Sequence, residues 1–394
     1  MPVSTATPLT TAPRSPAVLP RMLSLHDFED AARRRLPRPI FGYIAGAAED
    51  NASLRDNRAA FGDFAFVTRV LRDVSQRSQS VELFGERYSS PFGIAPMGIN
   101  ALSTYRGDLV LARAARRMGI ASVMSGTSLI PMEDVARDSP GTWFQAYLPG
   151  DQARIDALID RVERAGFRTL VVTVDIPISA NRENNIRTGF STPLRPSLRL
   201  AWDGLVRPRW VAGTFLRTLL RHGMPHFENS FATRGAPIVS STVLRDFSAR
   251  DHLSWRHIEA IRRRWKGPLV VKGLLSVEDA LQAQHAGADG VVLSNHGGRQ
   301  LDGAISPMRV LEDVVAAVGP SYPELVDGGF RRGSDVLKAI ALGARLVLVG
   351  RPFNYAAAVA GEAGVLHAIT LLRDEVDRNL AMLGATGCSE LGPQ

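Results

Sequence analysis

From Phe92 onward the chain alternates between short apolar runs and stretches whose apolar residues recur at helical spacing, and each run ends in a polar or glycine-bearing tip. Pro268 to Val271 and Gly290 to Leu293 are such runs. Continuous Val and Leu without polar alternation predict strands covered on both faces, as in a parallel sheet. Eight tips follow in order: Pro96-Met97-Gly98, Ser125, Gln145-Ala146-Tyr147, Thr173-Val174-Asp175, Lys272, Ser294 to His296, Asp327-Gly328-Gly329 and Gly350-Arg351. Six of the seven intervals between them run to 22–33 residues, the length of one strand and one helix. Eight such units in series predict an α/β fold, a (β/α)8 TIM barrel, with polar groups gathered at the C-terminal strand ends. A doubly wound open sheet would also alternate strands and helices, but it does not call for eight polar tips.

A helical extension precedes the barrel. Leu25, Phe28, Ala32 and Leu36 recur at helical spacing, Ser24 followed by Asp27 resembles a capping box, and Pro37 and Pro39 stop the helix. A second helical segment is expected from about Ile40 through Ala60, carrying Tyr43, and Val81 to Tyr88 reads as a short hairpin strand. Residues 1–22 combine Ser, Thr, Pro and Ala with no acidic residue, a composition that predicts a disordered tail before a single domain over 23–394. The remaining interval, 97 residues from Asp175 to Lys272, marks an insertion after the fourth strand at about 190–249. There Arg195, Arg199, Arg207, Arg209, Arg217 and Arg221 are interleaved with Leu198, Trp202, Leu205, Trp210, Phe215 and Leu219. Two readings stand side by side: an interfacial segment lying on a membrane, or a lid or subunit contact packed on the barrel.

Composition narrows the function. The formal charge of +8 comes from arginines scattered along the chain, with only three lysines and no nucleic-acid-binding motif, so nucleic acid is not expected as a partner. A basic background favours anionic small substrates and acidic lipid headgroups. Cys388 is the single cysteine, which rules out an intrachain disulfide and a cysteine metal site, and no metal site is predicted. No apolar stretch suits a secretory signal or a membrane span, so a cytoplasmic protein is expected, with any membrane contact peripheral at the inner face.

The densest chemistry lies in Ser294-Asn295-His296-Gly297-Gly298-Arg299-Gln300-Leu301-Asp302, where a histidine and an arginine leave a buried strand together across two glycines. Asp327 to Gly333 and Gly350-Arg351 add glycine amides and guanidinium groups after strands seven and eight, where barrels bind phosphate. A phosphorylated cofactor is the consequence.

With these motifs in order over about Ser24 to Leu391, the chain resembles the FMN-dependent α-hydroxy acid oxidase and dehydrogenase family. The resemblance implies that FMN is held by Pro96, Met97, Gly98, Ser125, Gln145, Thr173, Lys272 and Ser294, with Asp327 at the ribityl chain and Gly328, Gly329, Arg331, Gly350 and Arg351 at the phosphate. It implies His296 as the base, Asp175 orienting its ring, Arg299 and Arg182 clamping the substrate carboxylate, and Tyr43 and Tyr147 hydrogen-bonding to substrate. Lys272 would stabilise charge on the reduced ring. A homotetramer is implied as well.

Within the family, the mandelate dehydrogenase branch is similar in Lys272 to Ser276, Ala304 to Met308 and Arg221 to Pro225. Thr127 stands where many oxidases carry tryptophan, which would enlarge the pocket for an aryl side chain. The expected reaction is oxidation of an (S)-2-hydroxy acid, mandelate-like, to the 2-oxo acid, with electrons passed to a quinone-type membrane acceptor or oxygen. Alternatives are an oxidase of glycolate- or lactate-type acids, a decarboxylating monooxygenase, and a catalytically silent flavin-binding scaffold.

Overall fold

Eight parallel strands close on themselves because β10 (Leu346–Val349) pairs with both β9 (Glu324–Asp327) and β3 (Phe92–Ile94). Between them run β4 (Ala121–Ser125), β5 (Trp143–Tyr147), β6 (Leu170–Thr173), β7 (Leu269–Leu274) and β8 (Gly290–Leu293), each hydrogen-bonded to the next. The computed structural model describes residues 16–191, 193, 197–240 and 250–393. The expected (β/α)8 barrel is therefore the fold. Its interior is filled by Val123, Trp143, Val171, Val270, Val292, Leu325 and Leu348, so it is a packed core.

The hairpin of β1 (Val81–Leu83) and β2 (Glu86–Tyr88) plugs the N-terminal end of the barrel, where Tyr88 Oη accepts from Trp143 Nε1 at 3.1 Å. At the other end register decides which side chains share a level. Ser125 pairs with Gln145, and Tyr147, Thr173 and Lys272 align across β5, β6 and β7.

The segment expected as one helix from Ile40 to Ala60 is two, Arg38–Ala45 and Ala52–Ala59. The break has a chemical cause. Asp302 accepts hydrogen bonds from the backbone amides of Asp50, Ala52 and Ser53, so a distant carboxylate starts the second helix. Pro39 sits in the first turn of Arg38–Ala45, where a missing N–H is harmless. Within the tail expected up to residue 22, Leu19–Arg21 forms a 3-10 turn with Leu19 and Met22 buried; residues 1–15 lie outside the described residues.

The insertion carries helices Leu198–Leu205 and Arg217–His222, joined through Pro208–Trp210 and a π-helical stretch Val211–Leu216. Arg195 lies outside the described residues, as does the side chain of Arg199. Helix Arg351–Leu383 is long and apolar enough to cross a membrane by composition, but Ala360 and Gly361 break its helical geometry and its apolar side packs in the core.

Candidate active site

A cavity of about 640 Å³ opens at the C-terminal ends of the strands. His296 enters it from a strained turn. Its φ is +57°, followed by +64° at Gly297 and +75° at Gly298, three consecutive residues in the left-handed region. The turn is fixed from both sides, since His296 N donates to Ser294 Oγ at 3.0 Å and Gly298 N donates to Asn295 Oδ1 at 3.1 Å. Strain in a non-glycine residue persists only when its surroundings over-determine it, and here they aim an imidazole into the cavity.

Behind the imidazole stands Asp175, whose oxygens lie 3.0 and 3.1 Å from His296 Nδ1. Gly273, at φ +109°, leaves room for this carboxylate: a Cβ there would sit 2.6 Å from the Asp175 Cβ. Burial drives the His296 pKa below its ordinary value, with Lys272 and Arg182 acting the same way and Asp175 opposing them. Burial also works against ionisation of Asp175, yet His296 and Lys272 hold its carboxyl below the usual carboxylate range. The imidazole is thus neutral near pH 7 with its Nδ1 side facing a carboxylate, an arrangement that suits Nε2 to accept a proton. Tyr147 Oη lies 3.5 Å from Nε2, and burial together with Asp175 raises its pKa, so it stays a phenol.

Two arginines complete this wall. Arg299 is wedged under the ring of Tyr43, with its guanidinium carbon 4.8 Å from the ring centroid, and donates to the carbonyls of Tyr43 and Gly46 at 2.7 Å each. Burial and Arg182 push its pKa down to about 9, so it keeps its charge at neutral pH. Arg182 donates to Gln300 Oε1 at 2.6 Å and to Arg299 O at 3.0 Å. The geometry is that of a clamp for a carboxylate, held open by backbone oxygens.

The rest of the cavity fits FMN. Lys272 Nζ, nearly fully buried, lies 2.9 Å from Asp327 Oδ2 and donates to Ser294 Oγ at 2.6 Å. Gln145 Nε2, Thr173 Oγ1 and Asp327 Oδ1 are buried polar atoms without hydrogen-bond partners among the described residues. Donors and acceptors of this kind suit a pyrimidine edge and a ribityl chain. Gly329 is required by packing, because a Cβ would meet Asn57 O at 2.2 Å. The amides opening helix Arg351–Leu383 and the part-buried guanidinium groups of Arg331 and Arg351 suit a phosphate.

Tyr43, Pro96, Met97, Gly98, Thr127, Tyr147, Thr173, Arg182, Lys272, His296, Arg299, Asp327, Gly328, Gly329, Arg331, Gly350 and Arg351 all line this one cavity. Ser125, Gln145 and Ser294 lie one layer deeper, fully buried: Ser125 Oγ donates to Gln145 Oε1 at 3.1 Å, and Ser294 receives Lys272. Asp175 also stands behind the wall, as an orienting residue should.

Other residues went unnoticed in the sequence. Asn57 and Asn295 exchange reciprocal amide hydrogen bonds at 2.8 Å, and Arg58 donates to Gly329 O at 2.5 Å, so the N-terminal extension braces the loop after β9. Gln300 holds Arg182 and donates to Asp175 O at 3.1 Å. Its place inside the His296-to-Arg299 run was the available signal. Asn57 and Arg58 had none beyond helical spacing.

Comparison with known proteins agrees with this geometry. The family model described as FMN-dependent dehydrogenase matches residues 32–394. The chain is 39% identical over 373 residues to (S)-mandelate dehydrogenase of Pseudomonas putida, covering 94% of this chain and 93% of that protein. It is 38% identical over 370 residues to L-lactate dehydrogenase of Pectobacterium atrosepticum, covering 93% and 94%. Among solved structures, the monotopic membrane protein (S)-mandelate dehydrogenase superposes with a TM-score of 0.87 at 40% identity, covering 94% of this chain and 98% of that one. Mandelate oxidase with (S)-2-phenylpropionate superposes with a TM-score of 0.77 at 36% identity, covering 93% and 96%.

Proposed function

Because the chain belongs to the FMN-dependent dehydrogenase family, we propose that it oxidises an (S)-2-hydroxy acid bearing an aryl side chain to the 2-oxo acid. The observation that carries the reading is that His296, backed by Asp175, stands with Tyr147, Arg299 and Arg182 in one cavity. The substrate carboxylate binds between the two guanidinium groups, which presents the 2-hydroxy carbon to His296. Nε2 of His296 takes the substrate proton, and Asp175 stabilises the imidazolium that results. Tyr147, kept as a phenol, donates to the substrate oxygen. When bound, FMN supplies the two-electron acceptor, and Lys272 offers it a buried positive charge from β7.

The side-chain end of the cavity supports an aryl group. Ile176, Ile186, Phe190, Phe227 and Ile238 line it, and Thr127 leaves space where a larger residue would not. A methyl side chain, as in lactate, would leave much of that surface uncovered. Electrons leave to a quinone-type acceptor at a membrane surface, with oxygen as the competing oxidant. What supports this is the insertion, whose Leu198, Trp202, Leu205 and Leu220 are exposed beside Arg207, Arg217 and Arg221, together with the likeness to a monotopic membrane protein.

Anaerobic stopped-flow mixing of the yellow holoprotein with (S)-mandelate, L-lactate and glycolate tests the reading. Mandelate should bleach the flavin fastest. Failure of every 2-hydroxy acid to bleach it would leave a flavin-binding scaffold, and benzoate in place of benzoylformate among the aerobic products would identify a decarboxylating monooxygenase.

A further inference from the structure

Met97 contributes to the cavity wall from the loop after β3, and its carbonyl is held from behind by a buried side chain. Asn100 Nδ2 donates both to Met97 O, at 2.8 Å, and to Asp108 Oδ1, at 3.0 Å. Asn100 Oδ1 in turn accepts from Asn354 Nδ2 at 2.8 Å, and Asn354 Oδ1 accepts from Ser103 Oγ at 2.7 Å. Asn354 lines the same cavity from the first turn of helix Arg351–Leu383. One amide side chain therefore ties together two walls of the cofactor cavity, and a carboxylate sits at its far side.

That carboxylate is unusual for its surroundings. Asp108 is 4% exposed, and no ion pair to it occurs among the described residues. It lies in the first turn of helix Gly107–Met118, where unpaired amides and the helix dipole favour a negative charge. Its second oxygen, Oδ2, has no hydrogen-bond partner among the described residues, and the nearby Ser128 hydroxyl, which favours the ionised form, is itself engaged with Ile130. Burial pushes the Asp108 pKa up to about 6, which still leaves it mostly ionised above neutral pH. An amide would fill the same space and accept the same hydrogen bond from Asn100, so what the acid adds is charge. In a low-dielectric interior such a charge is felt beyond its contacts.

We propose that Asp108 is a positioning residue for the cofactor: through Asn100 it fixes the Met97 carbonyl and Asn354 at the cavity wall, and it sets a buried negative charge behind that wall that makes bound flavin harder to reduce. The inference rests on the reading of the cavity as the FMN site. On the opposite wall Lys272, itself paired with Asp327 at 2.9 Å, acts in the reverse sense. Because Asp327 already balances Lys272, the Asp108 charge behind β3 is the one with no ion pair to offset it among the described residues.

The test is the midpoint potential of the flavin in the full-length holoprotein, measured at pH 8 against reference dyes, together with the FMN dissociation constant. Asp108→Asn should hold flavin at a more positive potential than the wild type, while Asp108→Glu, which retains the charge, should remain nearer the wild-type value. An Asp108→Asn potential equal to the wild type overturns the inference whatever happens to turnover. If Asp108→Asn does not fold, Asn100→Ser cuts the link with Asp108 intact, and the FMN dissociation constant should rise about tenfold, the loss of one hydrogen bond to a charged group. An unchanged dissociation constant in Asn100→Ser overturns it equally. A wild-type chain that takes up no flavin overturns the cofactor reading and this inference with it, whereas bound flavin with an unmoved potential overturns the inference alone.

Discussion

Arg299 and Arg351 donate to the same backbone oxygen, the carbonyl of Gly46, at 2.7 and 3.0 Å. Arg351 also reaches Ile44 O at 3.0 Å, and Arg299 reaches Tyr43 O. These oxygens close helix Arg38–Ala45, whose last carbonyls have no partners within the helix and carry the negative end of its dipole. Two part-buried guanidinium groups, one facing the proposed carboxylate site and one the proposed phosphate site, are therefore held by one helix end.

Arg351→Met should for this reason disturb both sites. FMN retention on gel filtration should fall, and in FMN-saturated protein the KM for the 2-hydroxy acid should rise about tenfold, because Arg299 loses its shared anchor. A KM that stays at the wild-type value once FMN is restored would show the two arginines to be independent.

The base assignment makes a prediction in pH. Since burial lowers the His296 pKa and Asp175 opposes it, the acid limb of kcat/KM should fall below the ordinary histidine value of about 6.5. Asp175→Asn removes the opposing influence, so its acid limb should move to still lower pH while the plateau drops. His296→Asn should keep bound FMN and lose about 10²–10⁴-fold in the rate of flavin reduction. Near-normal reduction in that variant would end the assignment.

The barrel was legible because its strands are continuous apolar runs that nothing but burial on both faces explains, and because each run ends in a polar residue. His296, Arg299 and Lys272 could be read from those ends alone. Asn57, Arg58 and Asp302 could not, since their roles depend on contacts between the N-terminal extension and loops more than 200 residues away. The break between Ala45 and Ala52 was hidden for the same reason: local spacing continues, and a distant carboxylate starts the next helix. Gln145 and Ser125 were legible as strand-end polar residues, but period alone does not tell a cavity wall from the layer beneath it.

Glu324 gives a prediction about stability. It is 2% exposed on β9, its Oε1 has no hydrogen-bond partner, and burial pushes its pKa up to about 7. A carboxyl with a raised folded-state pKa binds more protons folded than unfolded between about pH 4.5 and 7, so stability falls as pH rises through that window. Glu324→Gln should therefore raise Tm more at pH 8 than at pH 5, by a stabilisation of about 1–3 kcal/mol at the higher pH. An equal change at both values would mean that the pKa of Glu324 is not raised in the folded protein.

The aryl subsite turns on Thr127, whose Oγ1 would lie 2.2 Å from a Cβ placed on Gly98 and which shares the cavity with Tyr43. Thr127→Trp would fill this space with an indole. The kcat/KM for mandelate should fall relative to that for lactate by at least about tenfold, the scale of forced overpacking. A ratio within threefold of the wild type would remove Thr127 as the determinant of substrate size.

The helices of the insertion are fastened to the barrel and to the N-terminal extension. Trp210 Nε1 donates to Leu102 O at 2.7 Å, Arg207 Nε donates to Leu36 O at 3.2 Å, and the Arg217 guanidinium carbon lies 3.9 Å from the Tyr105 ring centroid. Leu198, Leu205 and Leu220 remain 92%, 70% and 85% exposed. Exposed leucines spaced along short helices, with arginines beside them, match a surface that enters the headgroup region of an acidic bilayer. Burying one such side chain contributes about 1.5–3 kcal/mol when complete. Replacing all three by serine should therefore reduce partition onto vesicles containing phosphatidylglycerol by at least about 100-fold, with the remaining binding abolished by salt. Flavin reduction by a soluble 2-hydroxy acid should continue in this variant, since none of the three lines the cavity. If the wild type ignores such vesicles, these leucines cover the barrel mouth of another subunit or act as a lid, and the membrane route for the electrons fails with them.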